Sequence, residues 1–168
     1  MKRTELPSRE RLCEAFYYNP ETGMLSWRVD CGRARTGDIA SRATGSCGYI
    51  GVNIDGRSYV AHRVIWKMMT GLDPIDGIDH IDGNASNNRW GNLREASHVQ
   101  NMANRKRPIT NSSGVKGVSW HSSTGRWIAR VGANNKRHTV GFFADVQSAE
   151  IAIEAARHKL HGEFARAL

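Results

Sequence analysis

Apolar and polar positions along the 168-residue chain follow two different periods, broken by glycine, proline and asparagine. Leu12, Ala15 and Phe16 recur at helical spacing, which predicts a short helix over SRERLCEAFYY with Ser8 as its cap. The turn NPETG and a short strand, MLSWRV, follow. In GYIGVNIDGRSYVAHRV the residues Ile50, Val52 and Ile54 alternate, Asp55-Gly56 makes a hairpin turn, and Tyr59 to His62 form the return strand. HRVIWKMMTG predicts a helix with Val64, Ile65, Met68 and Met69 inward and Gly71 at its end. Further on, Ile78 to Ile81 reads as extended, Asp82 to Trp90 as loop, and Leu93 to Asn104 as helix.

The last third repeats a simpler pattern. GVSWH, RWIARV and RHTVGFF read as three strands joined through SSTG and GANNK, and DVQSAEIAIEAARHKLHG as a helix. Ala149, Ala152, Ile153, Ala156 and Leu160 make one apolar stripe, with Asp145 as cap and Gly162 as stop. Strand alternation sends Val118, Trp120, Trp127, Ala129, Val131 and Val140 under that helix. It sends Ser119, His121, Arg126, Ile128, Arg130, Arg137 and Thr139 to the other face. Before these strands, RKRPITNSSG combines a basic cluster, a proline and a polar run, and reads as a linker. The expected organisation is therefore a domain over residues 1–105, a linker over 106–113 and a second domain over 114–168.

Composition changes this picture little, but charge changes it more. The chain is 39% hydrophobic and 24% charged, as in soluble globular proteins. It has no apolar run near the roughly 18 residues of a membrane span. Its N-terminus lacks a secretory apolar core, so an intracellular protein is expected. Cys13, Cys31 and Cys47 are odd in number and form no C-x-x-C pair, which points to free thiols rather than a zinc site or disulfides. Net charge is +8, and it is uneven. Residues 1–104 hold 13 Lys/Arg and 12 Asp/Glu, a net of +1, whereas residues 105–168 hold 11 and 4, a net of +7. A basic block of this kind suggests a polyanionic partner, most simply nucleic acid, with a merely soluble surface as the alternative.

The candidate chemistry lies in IDHIDGNASNNRWGNLREASHVQNMANR, which has two histidines and six asparagines in 28 residues. A hard cation that keeps several waters needs only one or two protein oxygens. Asp79 supplies a carboxylate, and Asn101 or Asn104 can supply an amide oxygen. On a strand His80 points away from Asp79 and is available as a base. A histidine base needs its other ring nitrogen fixed by an acceptor, and Asn92 can supply one. A calcium loop fails on spacing, because DHIDGN places its carboxylates three apart and lacks the later glutamate. Asn84, Asn87 and Asn88 read as loop builders. Arg63, Arg89 and Arg94 are lesser candidates for phosphate contacts, and His62 for a structural place at the hairpin–helix junction.

VAHRVIWKMMTG followed by this stretch resembles the HNH endonucleases of the phage and homing type, the ββα-metal class, over a core of roughly residues 49–105. The resemblance implies a metal-dependent DNA endonuclease that hydrolyses phosphodiester bonds in duplex DNA and leaves 5′-phosphate and 3′-hydroxyl ends. It assigns Asp79 as a metal ligand, His80 as the general base, Asn92 as the residue orienting that base, and Asn101 as the second metal ligand. His98 and Asn104 remain open as helpers at the metal. One divalent ion is implied, magnesium or manganese, and no zinc.

GVKGVSWHSSTGRWIARV and KRHTVGFFADVQSAEIAIEAARHKLHGEFA resemble the plant ethylene-response-factor (APETALA) type of DNA-binding domain, from about Gly114 to Ala167. That family reads the major groove with its three-stranded sheet. Lys116, Ser119, His121, Arg126, Arg130, Arg137 and Thr139 fall on its DNA-facing places. Ser119, His121 and Thr139 stand where the plant proteins carry arginines, so their target preference does not transfer.

The fold class expected is α+β: a ββα-metal (HNH) nuclease domain followed by a three-stranded antiparallel sheet packed on one helix. The expected partner is double-stranded DNA, with no membrane, as a monomer or homodimer in a phage-infected host. The alternative is a DNA-binding regulator with an inactive nuclease domain.

Overall fold

In the computed structural model, which describes residues 5–40, 42–44, 48–104, 111–133 and 136–165, helix α1 (Arg9–Ala15) starts at its expected cap. The Ser8 hydroxyl accepts the Arg11 amide at 3.1 Å. The helix stops sooner than its spacing predicts. Phe16 and Tyr18 are buried and Tyr17 is exposed, a period of two, and Phe16–Asn19 is strand β1. It pairs antiparallel with β2 (Met24–Trp27). The Asn19 side-chain oxygen accepts the amides of Glu21 (3.0 Å) and Thr22 (3.1 Å) and shapes the turn between them.

Strands β3 (Arg42–Thr44), β4 (Tyr49–Ile54) and β5 (Arg57–Val60) form an antiparallel sheet in chain order. The β4–β5 turn takes positive φ at Asp55 (50°) and Gly56 (72°), as a two-residue hairpin requires. Helix α2 (Ala61–Thr70) begins directly after Val60, so His62 lies on the helix rather than on the return strand. Val64, Ile65 and Met68 are buried, whereas Met69, expected inward, is 41% exposed. Gly71 closes the helix at φ 80°.

Strand β6 (Gly77–His80) pairs with β7 (Leu93–Ala96), and a 3-10 turn (Trp90–Asn92) leads into β7. The single helix expected over Leu93–Asn104 is therefore a strand and then a helix, α3 (His98–Asn104). Leu93 and Ala96 are buried on β7. Ser97 and Gln100 then make a reciprocal cap: the Ser97 amide donates to the Gln100 side chain at 2.8 Å, and the Gln100 amide to the Ser97 hydroxyl at 3.3 Å. Ile78 and Leu93 share one core with Leu12, Phe16, Leu25, Val52, Val64 and Ile65. Each such side chain, fully buried, stabilises the fold by about 1.5–3 kcal/mol. That core holds β6 and β7 in place.

The chain divides into two compact units, Met1–Glu95 and Ala96–Leu168. The division precedes α3; residues 106–110 of the expected linker lie outside the described residues. In the second unit β8 (Val118–His121), β9 (Arg126–Ala133) and β10 (Lys136–Phe143) form an antiparallel sheet in the order β10-β9-β8, with a register shift between Thr139 and Gly141. Helix α4 (Val146–His161) packs Ala149 and Ile153 on Val118, Ala129 and Val131. The Asp145 carboxylate caps it through the Ser148 amide at 2.7 Å.

Four positions of this unit depart from the simple helical stripe and strand alternation. Leu160 is 44% exposed, and Arg157 takes the buried place on α4, donating to the Lys116 carbonyl. Trp120 is 51% exposed; it lies beyond the residues that α4 covers, with its ring edge-on to Trp127 at 5.2 Å. Ile128 lies on the face away from α4 but is only 2% exposed, between Ser119 and Phe142 on the flanking strands. Gly117, at φ +77°, is obligatory: a Cβ there would lie 2.6 Å from the Arg130 carbonyl oxygen and 2.7 Å from Ile153 Cδ1. Among the described residues no helix is long and apolar enough to cross a membrane.

Candidate functional site

Strand β6 delivers two neighbouring polar residues, Asp79 and His80, and both are buried, at 4% and 5% exposure. Burial at this level demands partners. The Asp79 Oδ2 accepts the Arg94 Nε at 3.0 Å and Nη2 at 2.9 Å, a charge-assisted pair between β6 and β7. Arg94 thus meets a carboxylate on its own unit.

The His80 ring is held from the loop. Its Nε2 lies 3.0 Å from the Asn88 Oδ1, and Asn88 is itself buried. With the amide oxygen there, the tautomer that fits the contact places the hydrogen of a neutral ring on Nε2 and its lone pair on Nδ1. This is the orienting contact expected from Asn92, and it comes from a residue read as a loop builder. Asn92 is used differently. Its Oδ1 accepts the Asp82 amide at 3.0 Å, and its Nδ2 donates to the Asp82 Oδ1 (3.0 Å) and the Asn87 carbonyl (2.8 Å). Asn92 therefore closes the loop on itself, four residues too far along to meet the ring. Nothing in the local sequence separates Asn88 from Asn87; the difference is where the folded loop points them.

Asp82 is the hub of that loop. Burial raises its carboxyl, but donors from the Asn87 side chain, the Asn84 amide and the Asn92 side chain, together with nearby His80, outweigh it and leave the pKa below the ordinary carboxylate value. An open cleft of about 460 Å³ lies beside the loop, lined by Pro20, Glu21, Asp82, Asn87, Arg89 and Trp90 among others. Arg89 is exposed on its rim.

Two further rings crowd His80. His62, on α2, stands edge-on to it at 5.2 Å, and Tyr49, at the start of β4, lies 6.1 Å from His80 and 5.4 Å from His62. Burial, then the neighbouring His80 and Arg63, push the His62 pKa down to about 3, so this ring is neutral at ordinary pH. Its Nδ1 is buried without a hydrogen-bond partner among the described residues. Periodicity places His62 at a helix start and gives no sign that it faces the site.

Asn101 lies on α3, in the second unit, half-buried. His98 is exposed on the same helix and Asn104 is buried. Among the described residues no group of three or more His, Cys, Asp or Glu could hold a metal ion. The donor chemistry at Asp79, one carboxylate oxygen pair, suits a hard divalent cation that retains much of its water.

The second unit presents a different surface. Arg126, Arg130, Arg137, Ser119 and Thr139 are exposed on the sheet face away from α4. None of the three guanidinium groups has a carboxylate partner among the described residues. His121 lies on this face with its Nδ1 within 2.9 Å of the Thr124 hydroxyl and 3.2 Å of the Ser123 hydroxyl, and its ring meets Phe142 at 5.3 Å. Phe142, which strand alternation did not single out, is 43% exposed. Lys116 precedes β8, gives its carbonyl to Arg157, and lies near enough to His161 of α4 to help lower that imidazole's pKa, after burial.

A family model described as HNH endonuclease matches residues 59–103. The chain is also 39% identical over 106 residues to "Protein 3.8" of Escherichia phage T7, an overlap covering 62% of this chain and 87% of that protein. No solved structure matches the chain.

Proposed function

Because this chain belongs to the HNH endonuclease family, we propose that it hydrolyses phosphodiester bonds in duplex DNA with His80 as the base, and that its second unit holds the DNA. The observation that carries this reading is the His80–Asn88 contact. A ring with Nε2–H donated to an amide oxygen keeps Nδ1 directed as a proton acceptor, the form a general base for water requires. The neutral His62 ring against it adds no competing charge.

Asp79 is the residue of the first unit that would hold a divalent cation, magnesium or manganese. When bound, the cation offsets charge on the scissile phosphate and the leaving oxygen. Arg94 competes for the same carboxylate and supplies its counter-charge otherwise. The exposed guanidinium groups of Arg126, Arg130 and Arg137 suit phosphate or guanine contacts, with Ser119, His121 and Thr139 beside them. This agrees with the resemblance of the second unit to the ethylene-response-factor type of domain. The phage relative accords with a homing-like or other phage role.

Supercoiled plasmid with magnesium tests the reading. The intact chain is expected to nick or cut it and His80→Ala to leave it intact; equal cleavage by both would refute the assignment. A second reading, a DNA-binding regulator with an inactive nuclease unit, draws on the Asp79–Arg94 pair, which neutralises the carboxylate without a cation. Tight DNA binding with no cleavage by the intact chain would favour it.

A further inference from the structure

The β1–β2 hairpin lies outside the matched 59–103 segment, yet it touches the His80-holding loop at three consecutive residues. The Tyr18 hydroxyl donates to the Asn88 carbonyl at 2.8 Å, and both residues are buried. The Pro20 carbonyl accepts the Trp90 amide at 3.0 Å. Gly23, at φ +77°, lies against the backbone between them: a Cβ there would be 2.6 Å from the Asn88 carbonyl carbon and 2.6 Å from the Arg89 nitrogen. These contacts fix the backbone of the residue whose side chain holds the His80 ring at 3.0 Å.

We infer that Tyr18 is a positioning residue for the base, acting through Asn88, and that the β1–β2 hairpin is part of the hydrolytic apparatus rather than a separate structural appendage. The inference rests on the reading of His80 as the base. The hairpin acts by leverage. The Asn88 side chain meets His80 from a backbone position that the buried Tyr18 hydroxyl, the Pro20 carbonyl and the side-chain-free Gly23 fix together. Burial raises the Tyr18 phenol to about 12, so the hydroxyl remains a donor across any working pH. Without it the Asn88 carbonyl is buried and unsatisfied, and the loop shifts to recover a partner.

The test uses the full chain, supercoiled plasmid and magnesium. Tyr18→Phe is expected to lower kcat about tenfold with KM unchanged, because a small misplacement of the base slows chemistry without weakening DNA binding. In ¹⁵N spectra of the histidine rings, the Nε2–H share of His80 is expected to fall in the same variant. In an Asn88→Ala background, Tyr18→Phe is expected to cost nothing further. Gly23→Ala keeps the hydroxyl and displaces the loop, and is expected to mimic Tyr18→Phe; it carries the test should Tyr18→Phe not fold. A folded Tyr18→Phe with wild-type kcat and tautomer, or a full additional loss in the Asn88→Ala background, overturns the inference. Cleavage by His80→Ala would instead overturn the reading of the base. An inactive His80→Ala beside a fully active Tyr18→Phe overturns the role of the hairpin alone.

Discussion

The two units handle charge and polarity in opposite ways. Around His80 the polar groups are buried and bonded to one another: the Asp79 side chain to that of Arg94, the His80 ring to the Asn88 side chain, and the Tyr18 hydroxyl to the Asn88 backbone carbonyl. On the sheet of the second unit, Arg126, Arg130 and Arg137 stand in solvent with no carboxylate beside them among the described residues. Positioning chemistry calls for the first arrangement, since orientation must be fixed before substrate arrives. Holding a polyanion calls for the second, since a guanidinium already paired within the protein has less to give a phosphate. The contrast teaches that substitutions in the first unit should alter rate, and in the second affinity and salt dependence.

The largest expected effect is that of His80→Ala, which should lower single-turnover cleavage by about a thousandfold or more while leaving duplex binding in a gel-shift assay intact. Loss of binding alongside cleavage would blur the division between the units. Next, Asn88→Ala should lower kcat by about a hundredfold. Asn92→Ala should act chiefly on the loop, lowering the melting temperature more than the rate per folded chain. The reverse ranking would return the orienting role to Asn92.

A triple change of Arg126, Arg130 and Arg137 to Gln should leave kcat at saturating DNA unchanged. It should reduce the slope of log affinity against log salt by about three, since each phosphate that a guanidinium neutralises adds about 0.9 to that slope. An unchanged slope would detach this face from DNA.

The smallest effect is on stability. The folded His62 pKa, about 3, lies below its ordinary value of 6.5, so below that value the unfolded chain takes up a proton that the native chain excludes. Stability from this group is complete above pH 6.5 and declines as pH falls towards 3. The decline is about 2 kcal/mol between about pH 7 and pH 5. Urea melts at the two pH values should show it, and His62→Gln should flatten it.

Much of this was legible in the sequence where the cause is local. Ser8, Asp55-Gly56, Gly71 and Asp145 act on their own few neighbours, and each does what its residue type predicts. The pairs that carry the site are not local. Leu93 to Ala96 reads as helix because its neighbours to the right are helical; pairing with β6, and the Ser97–Gln100 cap that starts the helix only afterwards, decide otherwise. Asn88 and Asn92 are chemically identical, so composition could place an asparagine beside His80 but not say which. Arg157 took a core place because its long stem packs like an aliphatic chain while its end finds a backbone carbonyl.

The Trp66–Trp90 contact has a consequence outside catalysis. The two indoles, one on α2 and one at the end of the His80 loop, lie 5.3 Å apart at an interplanar angle of 41°. Such a pair couples electronically through the strong far-ultraviolet transition of indole and is expected to give a paired positive and negative dichroism signal that is lost when the rings separate. The loop therefore carries its own optical reporter, and Trp120–Trp127 in the second unit carries another, at 70°. With the other pair broken by a Trp→Phe substitution, each unit can be watched as it orders, without a label and without substrate.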